Sequence, residues 1–160
     1  MASEIVNGLQ SYFTFRIGND LMAVNIGHLA KILEMTAVTP VPNSPLYFKG
    51  ILNLFGDVLP IYDGRLKLGY PEMEYGKTTC ILILVFQLAG EVASAGIIVD
   101  SVEKIVKIED EQLEPGSQSD KEFNPDYIDG FTKLNGENLI LLNLERIFTE
   151  EEITLIKKIE

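Results

Sequence analysis

Apolar and polar side chains alternate through Tyr12-Phe13-Thr14-Phe15-Arg16-Ile17, the two-residue period of a strand that buries one face. Gly18-Asn19-Asp20 then supplies a turn and Leu21 to Val24 resumes the strand pattern, which predicts a hairpin. Asn25 to Glu34 carries Ile26, Leu29, Ile32 and Leu33, a spacing open to both a short helical turn and a strand. Pro40, Pro42 and Pro45 exclude a long helix beside it. Gly50 to Leu54 and Val58 to Tyr62 flank Phe55-Gly56-Asp57 and predict a second hairpin. Asp63 to Leu68, closed by Gly69, reads as a single helical turn with a glycine stop. Ile81 to Phe86 is apolar on both faces, as suits a strand covered on both sides.

The second half repeats the first. At an offset of 80 residues, Pro45-Leu46-Tyr47-Phe48-Lys49-Gly50 lies over Pro125-Asp126-Tyr127-Ile128-Asp129-Gly130. The register runs on through Gly56 over Gly136, Leu59 over Leu139 and Asp63 over Asn143. Upstream the offset is 73, with Leu29 to Leu33 over Val102 to Val106. Seven residues of loop inserted within Leu113 to Asn124 reconcile the two offsets. Glycine, proline and tyrosine held in one register point to a duplicated unit. Each copy has room for about five short strands, a small barrel. Barrels of roughly 70 residues are marginal alone and are expected to pack on one another. The halves fall at 12–75 and 78–148 within one domain spanning 12–148, and strands can be exchanged between them. The fold class is therefore all-β with a few short helices. Thr149-Glu150-Glu151-Glu152 forms a capping box, and Ile153, Ile156 and Lys157-Lys158 follow, which predicts a C-terminal helix over 149–160.

Composition narrows the classes. Of the 160 residues 46% are hydrophobic, enough for a real interior. No apolar run approaches the length of a membrane span, and Met1-Ala2-Ser3-Glu4 does not open like a signal peptide, so a soluble cytoplasmic protein is expected. A net charge of -11 argues against nucleic acid or an anionic membrane as the partner. The single cysteine, Cys80, allows no internal disulfide and is expected to be a small buried hydrophobe.

Catalytic chemistry is sparse. His28, the one histidine, sits beside Leu29 and reads as a surface or half-buried residue. There is no nucleophile elbow and no Gly-rich phosphate loop. Asp57, Asp63, Asp100, Asp126 and Asp129 lie at turns or strand ends, where aspartate bonds to backbone. Neither a catalytic site, a metal site nor a cofactor is expected, and protein binding is the activity left. Phe13, Ile26, Leu29, Ile32 and Val99 are candidates for a groove wall, with burial in the core the alternative for each.

The stretch from Pro40-Val41-Pro42 through Gly50-Ile51-Leu52-Asn53-Leu54-Phe55-Gly56-Asp57 to Asp63 closely resembles the signature of the CheW family of chemotaxis coupling proteins. Phe13-Thr14-Phe15, Gly96-Ile97-Ile98-Val99-Asp100-Ser101-Val102 and Leu139-Ile140-Leu141-Leu142-Asn143-Leu144 extend the resemblance from about Tyr12 to Phe148 in family order. It implies two packed five-stranded SH3-like β-barrels without catalytic activity. It also implies two partners, the regulatory domain of the histidine kinase CheA and the cytoplasmic tip of a chemoreceptor. Carried over by position, the receptor groove holds Phe13, Ile26, Leu29, Ile32 and Val99, while the kinase side holds Thr39, Val41, Leu52 and Phe55. Two positions depart from the family pattern. Phe55 stands where Asn-Leu-Arg-Gly would place arginine, and Lys31 stands where many members carry an acid. The alternative to a chemotaxis adaptor is a related scaffold for another kinase pathway, such as surface motility.

Overall fold

The computed structural model describes residues 9–114 and 125–148. The helix expected over 149–160 and most of the inserted loop lie outside the described residues. Ten strands alternate with short turns: β1 (Leu9–Ile17), β2 (Asp20–Asn25), β3 (Leu29–Glu34), β4 (Phe48–Leu54), β5 (Asp57–Asp63), β6 (Cys80–Leu88), β7 (Glu91–Val99), β8 (Ser101–Glu109), β9 (Ile128–Leu134) and β10 (Glu137–Leu142). One helical turn follows β5, α1 (Gly64–Lys67), and one follows β10, α2 (Leu144–Ile147). The Asp63 carboxylate caps α1 by accepting from the Leu66 N–H, and the Asn143 side chain caps α2 by accepting from the Arg146 N–H. The ambiguous segment after β2 is both things in turn: a 3-10 turn at Ile26–His28, then β3.

The strands form two five-stranded sheets, ordered β8-β1-β2-β10-β9 and β3-β6-β7-β5-β4. Each sheet thus takes its central hairpin from one repeat and three strands from the other. The β1–β2 hairpin sits among strands of the second repeat, and β6–β7 among strands of the first. The pairings themselves repeat. Ile61 lies opposite Gly96 in the parallel β5–β7 pair, and Leu141 lies opposite Ala23 in β10–β2. The Asp63 N–H donates to the Tyr47 carbonyl at 2.7 Å, and the Asn143 N–H donates to the Tyr127 carbonyl at 2.8 Å.

The architecture is SH3-like, with each barrel left open at one seam. The chain leaving the edge strand bridges that seam at a single residue: Thr39 exchanges two backbone hydrogen bonds with Ile51, and Glu114 exchanges two with Phe131. Pro40 has no N–H and ends the first bridge. The bridges explain two of the glycines held in the repeat register. A Cβ on Gly50, where φ is +146°, would fall 2.2 Å from the Thr39 carbonyl oxygen, and one on Gly130 would fall 2.9 Å from that of Glu114.

Three apolar layers result. Tyr12, Leu21, Ala23, Val106, Ile108, Leu139 and Leu141 fill one barrel. Leu59, Ile61, Ile81, Ile83 and Ile98 fill the other. Between them a larger shared cluster takes Phe13, Phe15, Leu82, Leu84, Phe86, Ile97 and Val99. β6 shows why its sequence is apolar on both faces, since Ile81 and Ile83 enter their own barrel while Leu82 and Leu84 enter the shared layer. Phe148, fully buried, stacks on Phe86 and meets Tyr62 edge-on, both at 5.0 Å, and so ties the end of the second repeat to the first.

Candidate functional site

The shared layer reaches the surface along two edge strands. On β3, Leu29 lies opposite Leu84 and Ile32 opposite Leu82. On β8, Val102 lies opposite Phe15 and Ile105 opposite Phe13. Paired residues project from the same face of a sheet, so all four point toward the shared cluster. Leu29 and Val102 pack half-buried against it, whereas Ile32 and Ile105 remain 42% and 58% exposed. A cavity of ≈ 530 Å³ lies where the end of β3, through Glu34, meets Cys80 and the start of β8, through Ser101 and Val102.

Local chemistry holds these walls. The Asn25 side chain accepts from the Gly27 N–H at 2.9 Å, and the His28 Nδ1–H donates to the Val85 carbonyl at 2.9 Å, fastening the 3-10 turn to β6. Each edge strand carries a bulge, at Leu29/Lys31 and opposite Phe13/Phe15. At the second one the buried Thr14 hydroxyl donates to the Lys104 carbonyl at 2.6 Å and accepts from the Lys104 N–H at 3.0 Å. Both backbone groups are thereby satisfied where the ladder lapses.

The five residues assigned by resemblance to a receptor groove gather on this shared layer at different depths. Phe13 and Val99 are buried at 5% and 1% exposure and form its floor. Ile26 and Leu29 are half-buried at the rim, and Ile32 is exposed. Val102 and Ile105 were not among the candidates. The signal for them was in the chain, because Leu29 and Ile32 fall on Val102 and Ile105 at the offset of 73.

The residues assigned to a kinase face divide. Thr39 bridges to Ile51, with Leu52 next and Phe55 at the tip of the β4–β5 hairpin. Leu52 packs on the barrel interior, and Val41 turns to the shared layer instead. Phe55 is 86% exposed and holds φ at +51°, followed by Gly56 at +87°. Two successive left-handed residues make the hairpin turn whose twist suits the strands. The Lys31 Nζ lies 4.6 Å from the centre of the Phe55 ring, within cation–π range.

Several other polar groups make contacts within the fold. Asp100 accepts three hydrogen bonds from the Arg65 guanidinium, at 2.7–3.1 Å, and one from the Gly18 N–H at 2.8 Å. Buried Asp63 accepts from the Tyr75 hydroxyl at 2.8 Å while capping α1. Burial first, then the hydrogen bond that Asp63 accepts and its repulsion of the phenolate, raise the Tyr75 pKa. Tyr70 donates to Asp20, and burial and that carboxylate likewise hold its phenol protonated. Cys80 is half-buried rather than enclosed, because its side chain stands at the cavity and bonds the Thr78 carbonyl. Desolvation and Glu34 raise its pKa, which opposes a reactive thiolate. Among the described residues no group of three or more His, Cys, Asp or Glu side chains is placed to hold a metal. None of the described helices is long and apolar enough to cross a membrane.

The sequence profile of the CheW-like domain matches residues 11–152. The chain is 32% identical over 151 residues to the chemotaxis protein CheW of Rhizobium meliloti, covering 94% of this chain and 95% of that protein. It is 29% identical over 159 residues to CheW of Klebsiella aerogenes, covering 99% and 92% respectively. The crystal structure of the scaffolding protein TtCheW from Thermoanaerobacter tengcongensis superposes with a TM-score of 0.78 at 22% identity, over 89% of this chain and 94% of that one.

Proposed function

This chain belongs to the CheW-like domain family, and from that membership we propose that it is a non-catalytic chemotaxis coupling adaptor of the cytoplasm. Its partners are the cytoplasmic tip of a chemoreceptor and the regulatory domain of the histidine kinase CheA. The observation that carries this reading is the exposed pair Ile32 and Ile105, standing on two edge strands over one continuous apolar layer. Such a surface suits the apolar stripe of a partner helix. The bridged edge of β4, with Thr39, Leu52 and Phe55, supplies a separate face for the kinase. Val41, Phe13 and Val99 support these faces from beneath. Because both faces belong to one packed body, a change in receptor geometry biases the kinase by differential contact and needs no chemical step.

A pull-down with immobilised receptor tip, with and without the kinase regulatory domain, tests the reading. Retention of the chain by each is expected, and retention by neither removes it. One observation favours a second reading, a scaffold of the same fold serving a different kinase pathway such as surface motility. Lys31 and Phe55 depart from the family pattern and touch each other. Binding only to kinase domains of another pathway would select it.

A further inference from the structure

The β4–β5 turn is an expensive place for an aromatic ring. Its counterpart in the second repeat is Asn135-Gly136, with φ of +53° and +82°, and the β6–β7 turn uses Ala89-Gly90 at +52° and +81°. Asparagine tolerates the left-handed region and alanine exposes little, but a bulky residue there is a conformational outlier. Phe55 accepts that strain and leaves 86% of its surface in water. The ring belongs to neither the core of its own barrel nor the shared layer. Strain of this kind marks a position kept for contact with something else.

The neighbouring charge says what that contact is. Lys31 corresponds to Lys104 at the offset of 73. The Lys31 ammonium has an aromatic ring beneath it, as Lys67 does over Tyr47 at 4.2 Å, but the ring under Lys31 stands at an exposed hairpin tip, and no carboxylate pairs with Lys31 among the described residues. On a chain of net charge -11 most of the surface repels an acidic partner. A cation held over a ring is a local exception, which tolerates and orients one carboxylate. We infer that Lys31 and Phe55 form the specificity element of the kinase-facing surface, and that they take a protein face presenting an apolar pocket for the ring with a carboxylate on its rim. An exposed aromatic fixed by a cation loses little freedom on docking, as an interface anchor should.

The inference rests on the kinase-facing reading of this edge, and its test keeps the two apart. Wild type, Phe55→Asn, Phe55→Leu, Lys31→Gln and the Lys31→Gln/Phe55→Leu double variant are titrated against the regulatory domain of the CheA-type kinase from the same cell and, separately, the receptor tip. Phe55→Asn matches the turn at Asn135 and keeps the fold. It is expected to weaken kinase-domain binding at least about tenfold while leaving receptor binding unchanged. Phe55→Leu and Lys31→Gln should each weaken it less, the double variant should lose less than the product of the two, and added salt should weaken wild type more steeply than Lys31→Gln. Wild type binding the kinase domain with Phe55→Asn binding equally well overturns the inference alone. Wild type binding the receptor tip but not the kinase domain overturns the reading of this edge, and the inference with it.

Discussion

The Lys31 ammonium sits 4.6 Å above the Phe55 ring, so a cation and an aromatic from β3 and the β4–β5 turn occupy one corner of the molecule. The contact contributes about 0.5–1 kcal/mol at an exposed site, less than the roughly 1–2 kcal/mol that a left-handed side chain costs. Phe55→Asn should therefore raise the urea midpoint, by up to about 1 kcal/mol in unfolding free energy. A clear loss of stability would show that the ring is held for the fold.

Gly50 and Gly56 both have positive φ, yet only Gly50 is crowded. Nothing lies within 4 Å of a Cβ on Gly56, against 2.2 Å to the Thr39 oxygen at Gly50. Gly56→Ala should cost roughly 1–2 kcal/mol from backbone strain. Gly50→Ala should cost at least about 1 kcal/mol more, because it also breaks the Thr39–Ile51 bridge. Equal costs in chemical denaturation would contradict the role given to that bridge.

Arg16 holds Glu137 with two hydrogen bonds, at 2.6 and 2.9 Å, and this contact lowers the Glu137 pKa below its ordinary 4.5. The stabilisation is present above that ordinary value and is lost as pH falls through the lowered one. Since the Glu137 side chain is 41% exposed, Glu137→Gln should cost less than about 1 kcal/mol at neutral pH. The difference between variant and wild type in thermal melts should shrink in acid and in high salt. A gap that widens in acid would refute the pairing.

Exposure separates the rim of the apolar layer from its floor. Ile105→Glu should behave like Ile32→Glu, with circular dichroism intact and receptor-tip binding weakened by about tenfold or more. Val99→Glu, at a position 1% exposed, should unfold the chain by burying an unpaired charge. Receptor binding undisturbed by Ile105→Glu would remove β8 from the site.

The hairpins were legible because alternation and turn residues are local. The duplication was legible because the bridges demand Gly50 and Gly130 and the caps demand Asp63 and Asn143. That strands can be exchanged between the halves was legible, but which hairpin moves was not, since a period of two sets which face a residue takes and leaves its partner strand unspecified. The segment around Leu29 stayed ambiguous for a definite reason. A 3-10 turn followed by a bulge between Leu29 and Lys31 spaces Ile26, Leu29, Ile32 and Leu33 as a helix would. Ile105 and Val102 went unnoticed as site residues because their exposure depends on β8 being a sheet edge. Cys80 was expected inside because its strand is apolar, but the strand's first residue opens onto the cavity beside Glu34.

Simultaneous occupancy is the most direct measure of coupling. Sedimentation velocity of the chain with receptor tip and kinase regulatory domain together should reveal one boundary containing all three, heavier than either binary complex. Mutual displacement of the two partners, or a chain that sediments alone in their presence, would contradict the adaptor account.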